Sequence, residues 1–270
     1  MSRFKKIFIT GASTGIGRQL ALDYGRQGAA VWLLARSEDK LNSLAAEIQE
    51  AGGQAHVLVC DATKAQDLLD ACQYAQEGSG GFDLVIANAG WGGKMSYPND
   101  KNISVLDQVI ALNYIAATHT LEYFAKFMAE TRHGHLVGIT SIAGYRGMPS
   151  SAAYSSTKAA LSTYLEALRF SMKHFGVRVT DIRPGFVRTP MTAKNKVPMP
   201  FIMDVDRATK KIRRAIERGS KRFTFPWQMA FLIHIVSAIP DFLYDWIAGL
   251  AFGELAVSGR GGKSEENLPG

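Results

Sequence analysis

What the chain lacks narrows it first. Its 270 residues hold two cysteines, Cys60 and Cys72. Two thiols offer neither metal-ligand spacing nor a disulfide framework, and both fall in core-like sequence, which fits buried thiols in a reducing compartment. No other metal-ligand cluster is evident, so no metal is expected. There is no run of 18 or more apolar residues, so no helix is read as membrane-spanning. The first six residues carry no apolar stretch of signal-peptide type, and a cytoplasmic location follows as the expectation. There is no repeat at a solenoid period. Acidic side chains are the scarcer charge, 24 against 31 Lys and Arg, for a net charge of +7. Part of the excess is a run of Lys210, Lys211, Arg213, Arg214, Arg218, Lys221 and Arg222. That run suits a solubilising face, anionic lipid or an anionic cofactor; nothing beside it reads bases, so no nucleic-acid partner is expected.

Apolar residues make up 47% of the chain and charged residues 20%, enough for a large core. Short apolar runs at 6–10, 30–35, 55–59, 84–87, 134–140 and 178–182 alternate with helical patterns at 15–26, 37–51, 64–77, 103–131 and 152–175. Nearly continuous apolar strands alternating with helices predict an α/β fold, a doubly wound parallel sheet of Rossmann type with helices on both faces. Ligands then bind beyond the C-terminal strand ends. Residues 1–257 read as one dinucleotide-binding and catalytic domain, with 223–252 an apolar helical extension. The polar, glycine-rich 258–270 read as a disordered tail. A chain ending near Arg222 is expected to keep the whole sheet.

The chemistry-bearing residues cluster after the strands. Thr10-Gly11-Ala12-Ser13-Thr14-Gly15-Ile16-Gly17 joins the first strand to the first helix. Unpaired N–H groups and the positive helix end there favour an anion, and glycine lets a phosphate approach without meeting a Cβ. The spacing is G-x-x-x-G-x-G, not the commoner G-x-G-x-x-G. Arg36 follows the second strand, and no Asp or Glu lies between Leu33 and Ser37. A carboxylate there would accept from a ribose 2′-hydroxyl; arginine can instead fork onto a 2′-phosphate, or simply sit exposed at a helix start. Asp61, after the third strand, suits an adenine amino group or the cap of a helix beginning near Lys64 equally well. Asn88-Ala89-Gly90 ends the fourth strand. Small residues there let backbone pass a flat ligand, and Asn88 can bridge strand ends or serve as a plain turn residue. Ser141 ends the fifth strand. Beyond it Tyr154 and Lys158 stand one helical turn apart on one face. Such a pair is commonly a surface pair, but an ammonium beside a phenol favours the phenolate and equips it to exchange a proton.

These motifs, with Asn113, Tyr154-Ser155-Ser156-Thr157-Lys158 and Pro184-Gly185, closely resemble the short-chain dehydrogenase/reductase family over residues 5–190. Ala87 departs mildly, since many relatives carry Asn there. The resemblance implies Tyr154 as acid/base, Ser141 holding the substrate oxygen, and Lys158 lowering the tyrosine pKa and binding the nicotinamide ribose. It implies Asn113 holding a water between Lys158 and solvent; by sequence alone Asn113 is a tolerated helix asparagine. The cofactor set is Gly11, Ser13, Thr14, Gly15, Ile16, Gly17, Arg36, Asp61, Asn88, Ala89, Gly90, Tyr154, Lys158, Pro184, Gly185, Val187 and Thr189. The expected protein is an NADP(H)-dependent oxidoreductase reducing the carbonyl of a small apolar ketone, steroid-like or lipid-like. A non-catalytic NADP(H) sensor and an NAD-linked alcohol oxidase are the alternatives.

Residues 191–206, with Met191, Val197, Met199, Phe201 and Met203, read as an apolar lid. Trp91, Tyr145 and Met148 are candidates to extend the lining. From Trp227 to Leu250 two apolar stretches flank Pro240, more than one core face needs. They are expected to cover the pocket, mate with a partner chain or touch a membrane peripherally, with His234 a packing residue. The family implies a homodimer or homotetramer.

Overall fold

The computed structural model describes residues 3–95, 99, 101–193, 195 and 198–257, the last seven by backbone alone. The tail 258–270 and Val197 of the lid stretch lie outside the described residues.

Seven strands form one parallel sheet in the order β3-β2-β1-β4-β5-β6-β7. They are β1 (Lys6–Thr10), β2 (Ala30–Ala35), β3 (Gln54–Val59), β4 (Leu84–Ala87), β5 (His135–Ile139), β6 (Arg178–Pro184) and β7 (Arg222–Phe225). Two-residue periodicity sorts the strand side chains into two cores. Ile7 and Ile9 join α1 (Gly15–Gly25), α2 (Glu38–Glu50) and α8 (Val205–Arg218) on one face. Phe8 points the other way, toward α3 (Ala65–Ser79), α5 (Ala116–Thr131) and α6 (Ala152–Lys173). Its ring lies 4.8 Å from Phe124 and 5.6 Å from Phe82, centroid to centroid. Truncating it to alanine would cost about 3–5 kcal/mol. The order in which strands are added reverses between β1 and β4, so a crevice opens where the connections from their C-terminal ends diverge.

Four expectations change. The pattern 103–131 is not one uninterrupted helix: α4 (Asn102–Ile110) and α5 are joined by a π-turn, Ala111–Ile115. The segment around Arg222 is not outside the sheet. It is β7, paired with β6 from Asp181–Arg222 to Pro184–Phe225, so a chain ending there would lose a strand. The basic run is not one solvated face. α8 buries Ile212, Ala215 and Ile216; Arg213 turns inward over the Tyr24 ring and toward Asp23. Arg222, though exposed, is held by Glu166 at 3.1 Å and faces the buried Asp181 at 3.8 Å. Lastly, the lid stretch holds a short helix, α7 (Pro190–Ala193), and returns beside its own start. There Met203 N–H donates to Phe186 and Arg188 N–H donates to Met203.

After β7 come α9 (Trp227–Ala238) and α10 (Asp241–Val257), two helices joined by Ile239 and Pro240 with much apolar surface exposed. Among the described residues no helix is long and apolar enough to cross a membrane, and no group of three or more His, Cys, Asp or Glu could hold a metal ion.

Candidate active site

The turn after β1 is shaped by what its glycines exclude. Gly11 has φ +67°, and a Cβ there would stand 2.8 Å from the Ala89 Cα. A Cβ on Gly17 would collide with the Gly11 carbonyl and the Asn88 amide, so α1 packs onto the strand ends only with glycine there. Asn88 ties the two ends together: its Nδ2 donates to the carbonyls of Thr10 at 3.0 Å and Gly11 at 3.2 Å. Thr10 returns the favour, its Oγ1 accepting from the N–H groups of Asn88 and Ala89. Thr10 opens the glycine motif, and its hydroxyl, at the last residue of β1, thus anchors the end of β4. Thr14 caps α1 by backbone shape alone, with no side-chain bond, so the first-turn N–H groups keep their capacity for an anion.

One elongated cleft runs from this turn across the strand ends. Gly11, Ser13, Thr14, Gly15 and Ile16 border it on one side; Arg36 and Asp61 border it at the β2 and β3 ends. Asn88, Ala89 and Gly90 form its floor; Ser141, Tyr154 and Lys158 close its head. Pro184, Gly185, Val187 and Thr189 form the opposite lip. Gly17 stays behind the wall, and Asn113 beneath the floor. Cys60, Leu112 and Thr192 also line the cleft and were not anticipated, since none carries a motif. Burial pushes the Cys60 thiol up to about 11 and the Cys72 thiol up to about 12, so both stay protonated near neutral pH.

Asp61 does not cap α3. Its Oδ1 accepts from the Thr63 N–H and hydroxyl, at 3.1 and 2.8 Å, and α3 begins at Ala65 with Lys64 before it. Trp91 lines the cleft as anticipated, but Tyr145 and Met148 do not. The Tyr145 hydroxyl is 3.1 Å from Thr224, its ring 5.1 Å from His234.

At the head of the cleft, Ser141 Oγ accepts from the Ala143 N–H at 3.1 Å, and the Ser141 hydroxyl lies near enough to the Tyr154 phenol to favour its phenolate. α6 begins at Ala152, so Tyr154 and Lys158 lie in its first two turns, on the side facing β5. The Lys158 ammonium donates to the Ile139 carbonyl at 2.9 Å and stands 5.7 Å from the Tyr154 ring centre. Burial raises the Tyr154 pKa, and the neighbouring Ser141 hydroxyl opposes that rise. Burial also lowers Lys158 from 10.5 to about 8, with the Asp181 carboxylate pulling the other way.

Asn113 is fully buried, and the π-turn is what aims it inward. Its Oδ1 accepts from the Trp91 N–H at 2.7 Å; its Nδ2 donates to the Trp91 carbonyl at 2.9 Å and to Thr157 at 3.3 Å. Gly90 sits at the junction: a Cβ on it would lie 3.2 Å from Asn113 Oδ1 and 3.3 Å from Lys158 Nζ.

The short chain dehydrogenase family profile matches residues 5–199. The chain belongs to the short-chain dehydrogenase/reductase family. An uncharacterized oxidoreductase of Myxococcus xanthus is 39% identical over 245 residues, covering 90% of this chain and 95% of that one. Among solved structures, a short-chain dehydrogenase of Sphingobium yanoikuyae in complex with NADPH has the same fold, with TM-score 0.75, 22% identity and coverage of 97% and 99% of the two chains. A 7α-hydroxysteroid dehydrogenase complexed with NADH and 7-oxo-glycochenodeoxycholic acid gives TM-score 0.75 at 25% identity, covering 82% and 92%. This chain is therefore an oxidoreductase of short-chain dehydrogenase type, from a family that uses nicotinamide cofactors.

The cleft fits such a cofactor on its own evidence. A Cβ at Gly11 would press on the floor, and one at Gly15 would stand 3.2 Å from Thr189 of the far lip, narrowing the passage. The open first turn of α1 faces that passage, as a pyrophosphate requires.

Proposed function

We propose that the protein is an NADPH-dependent carbonyl reductase acting on a small apolar ketone. The carrying observation is one cleft with Ser141, Tyr154 and Lys158 at its head and Arg36 at the C-terminal end of β2. A bound nicotinamide dinucleotide supplies the hydride. Gly11, Ser13, Thr14, Gly15 and Ile16 hold its phosphates, with Gly17 letting α1 seat behind them; Asp61 holds its adenine and Arg36 its 2′-phosphate. Asn88, Ala89, Gly90, Pro184, Gly185, Val187 and Thr189 hold the rest. The Ser141 hydroxyl donates to the substrate oxygen, and Tyr154 gives that oxygen its proton. The Lys158 ammonium binds the ribose hydroxyls and stabilises the phenolate left behind. Asn113 Oδ1 accepts one bond, from the Trp91 N–H, so its second lone pair remains for the water that reprotonates Lys158.

The apolar lip formed by Trp91, Leu112, Val187 and Met191 supports a steroid-like or lipid-like ketone. The steroid ligand of the 7α-hydroxysteroid dehydrogenase points the same way. The reading extends to one catalytic unit over residues 1–257, to a cytoplasmic homodimer or homotetramer, and to α9–α10 as a contact face. NADPH oxidation over a panel of apolar ketones tests it, with Tyr154→Phe as control. The variant keeps the ring and loses the proton. It should bind NADPH within a few-fold of the parent and turn over at least ~10²-fold more slowly. Near-parental turnover in the variant removes Tyr154 as proton donor; a parent that binds NADPH but turns over no ketone supports a sensor instead.

A further inference from the structure

The segment 142–151 joins Ser141 to the start of α6, and so sets where Ser141 stands relative to Tyr154. Its inner side is pinned to α6. The turn Ile142–Gly144 lies so close that a Cβ on Gly144 would stand 2.9 Å from the Lys158 backbone. Its outer side is held by the two C-terminal helices, through one arginine. Arg146 Nη1 donates to the carbonyls of Val236 at 3.1 Å and Ile239 at 2.6 Å, the last turn of α9 and the residue after it. Its Nη2 donates to Asp241 Oδ1 at 2.7 Å, at the start of α10. Its guanidinium lies 4.0 Å from the Tyr244 ring centre, and the Tyr244 hydroxyl donates back to the Gly147 carbonyl at 2.6 Å. A cation at a helix C-terminus and an anion at a helix N-terminus both suit the local dipoles. The planar fork reaches two carbonyls and a carboxylate while its face covers an aromatic ring, which lysine cannot do. A second path runs inside. Tyr145 packs on His234 of α9 and under the Arg183 guanidinium, 4.5 Å away. Arg183 donates to the buried Asp181 at 2.7 Å, and Asp181 accepts from Thr140, next to Ser141, at 2.6 Å. None of the residues lining the cleft comes from α9 or α10 among those described.

We propose that Arg146 is a positioning residue: it latches the α9–α10 junction onto segment 142–151 and thereby fixes Ser141 and Tyr154 for proton transfer. The inference rests on the roles given above to Ser141 and Tyr154. Arg146→Ala should lower kcat/KM at least tenfold, carried mainly by kcat, and leave the NADPH Kd within twofold. Arg146→Lys keeps a cation for the carbonyls and should recover at least threefold of that loss. Tyr244→Phe removes only the bond to Gly147 and should give a smaller loss of the same kind, so it carries the test if Arg146→Ala does not fold. Hydrogen exchange supplies an arm independent of the substrate: amides of 142–151 should exchange faster in Arg146→Ala, with those of β1 and α1 unchanged. A folded Arg146→Ala with kcat/KM within twofold of the parent overturns the proposal, as does a parallel loss of NADPH affinity or unchanged exchange in 142–151. If the parent reduces no ketone, the functional reading fails, and the exchange arm alone still decides whether Arg146 is the latch.

Discussion

At the scale of single residues, the site works by placing charge where burial resists it. Lys158 is nearly inaccessible, and the folded chain holds its ammonium against desolvation with one carbonyl bond and the field of Asp181. Its pKa falls from 10.5 to about 8 on folding. The unfolded chain therefore binds the extra proton between those values, and stability should rise with pH from about 8 to about 10.5. Below pH 8 the buried charge is a standing cost, of roughly 3 kcal/mol at most by the same linkage. Lys158→Met, of similar volume and no charge, should be more stable than the ligand-free parent at pH 7 and should lose that rise. Urea unfolding at pH 7, 8.5 and 9.5 checks it; parallel curves for parent and variant would refute a buried ammonium. Arg36 marks the far end of the cleft, and no carboxylate stands beside it in the sequence from Leu33 to Ser37. Arg36→Ala should weaken NADPH about ten- to a hundredfold, the worth of one charge-assisted contact, and leave NADH nearly unchanged. Equal weakening of both cofactors in a binding titration would take the 2′-phosphate away from Arg36.

At the scale of elements, the sequence disclosed what repeats and concealed what departs from a period. β1, β2 and β4 stand at the expected residues, because continuous apolar runs closed by glycine or polar turns leave few other registers. Gly11, Gly17 and Asn88 were legible because glycine spacing and a strand-end amide report backbone constraints directly. The π-turn was not: Ala111–Ile115 keeps good helix formers around Asn113, and only the contacts of Trp91 and Thr157 reward the wider turn. β7 was hidden because Arg-Phe-Thr-Phe merges into the apolar stretch that follows. Arg146 and Asp181 were hidden for another reason. Their partners lie 95 residues away, or across a strand pairing, and no local pattern carries that information.

At the scale of the whole molecule, exposed apolar residues gather on α9 and α10. Trp227, Phe242 and Leu250 are 73%, 77% and 72% exposed, and Phe231, Leu232, Ile235, Leu243, Trp246 and Ile247 share the surface. Their exposed area is on the order of 10³ Å², against roughly 800 Å² per partner in a stable complex. Residues 227–250 contain no Lys or Arg and two acids, Asp241 and Asp245. An anionic bilayer would find no cation there to attract it, whereas a second copy of the same face would bury aromatic rings against aromatic rings. The contact should then be symmetric and should not depend on salt. Changing Phe242, Trp246 and Leu250 together to serine alters exposed atoms only, so the sheet and cleft should be kept. Sedimentation of the parent should give a multiple of 29.5 kDa, and the triple variant a smaller multiple or the single chain. A parent that sediments as one chain, or a variant with the parent's mass, would remove the face as an interface between copies. Co-flotation of the parent with vesicles, lost in the variant, would assign it to lipid. Because Arg146 holds the junction of the same two helices, a mass change that also lowers kcat/KM would mean that assembly reaches Ser141 through that latch.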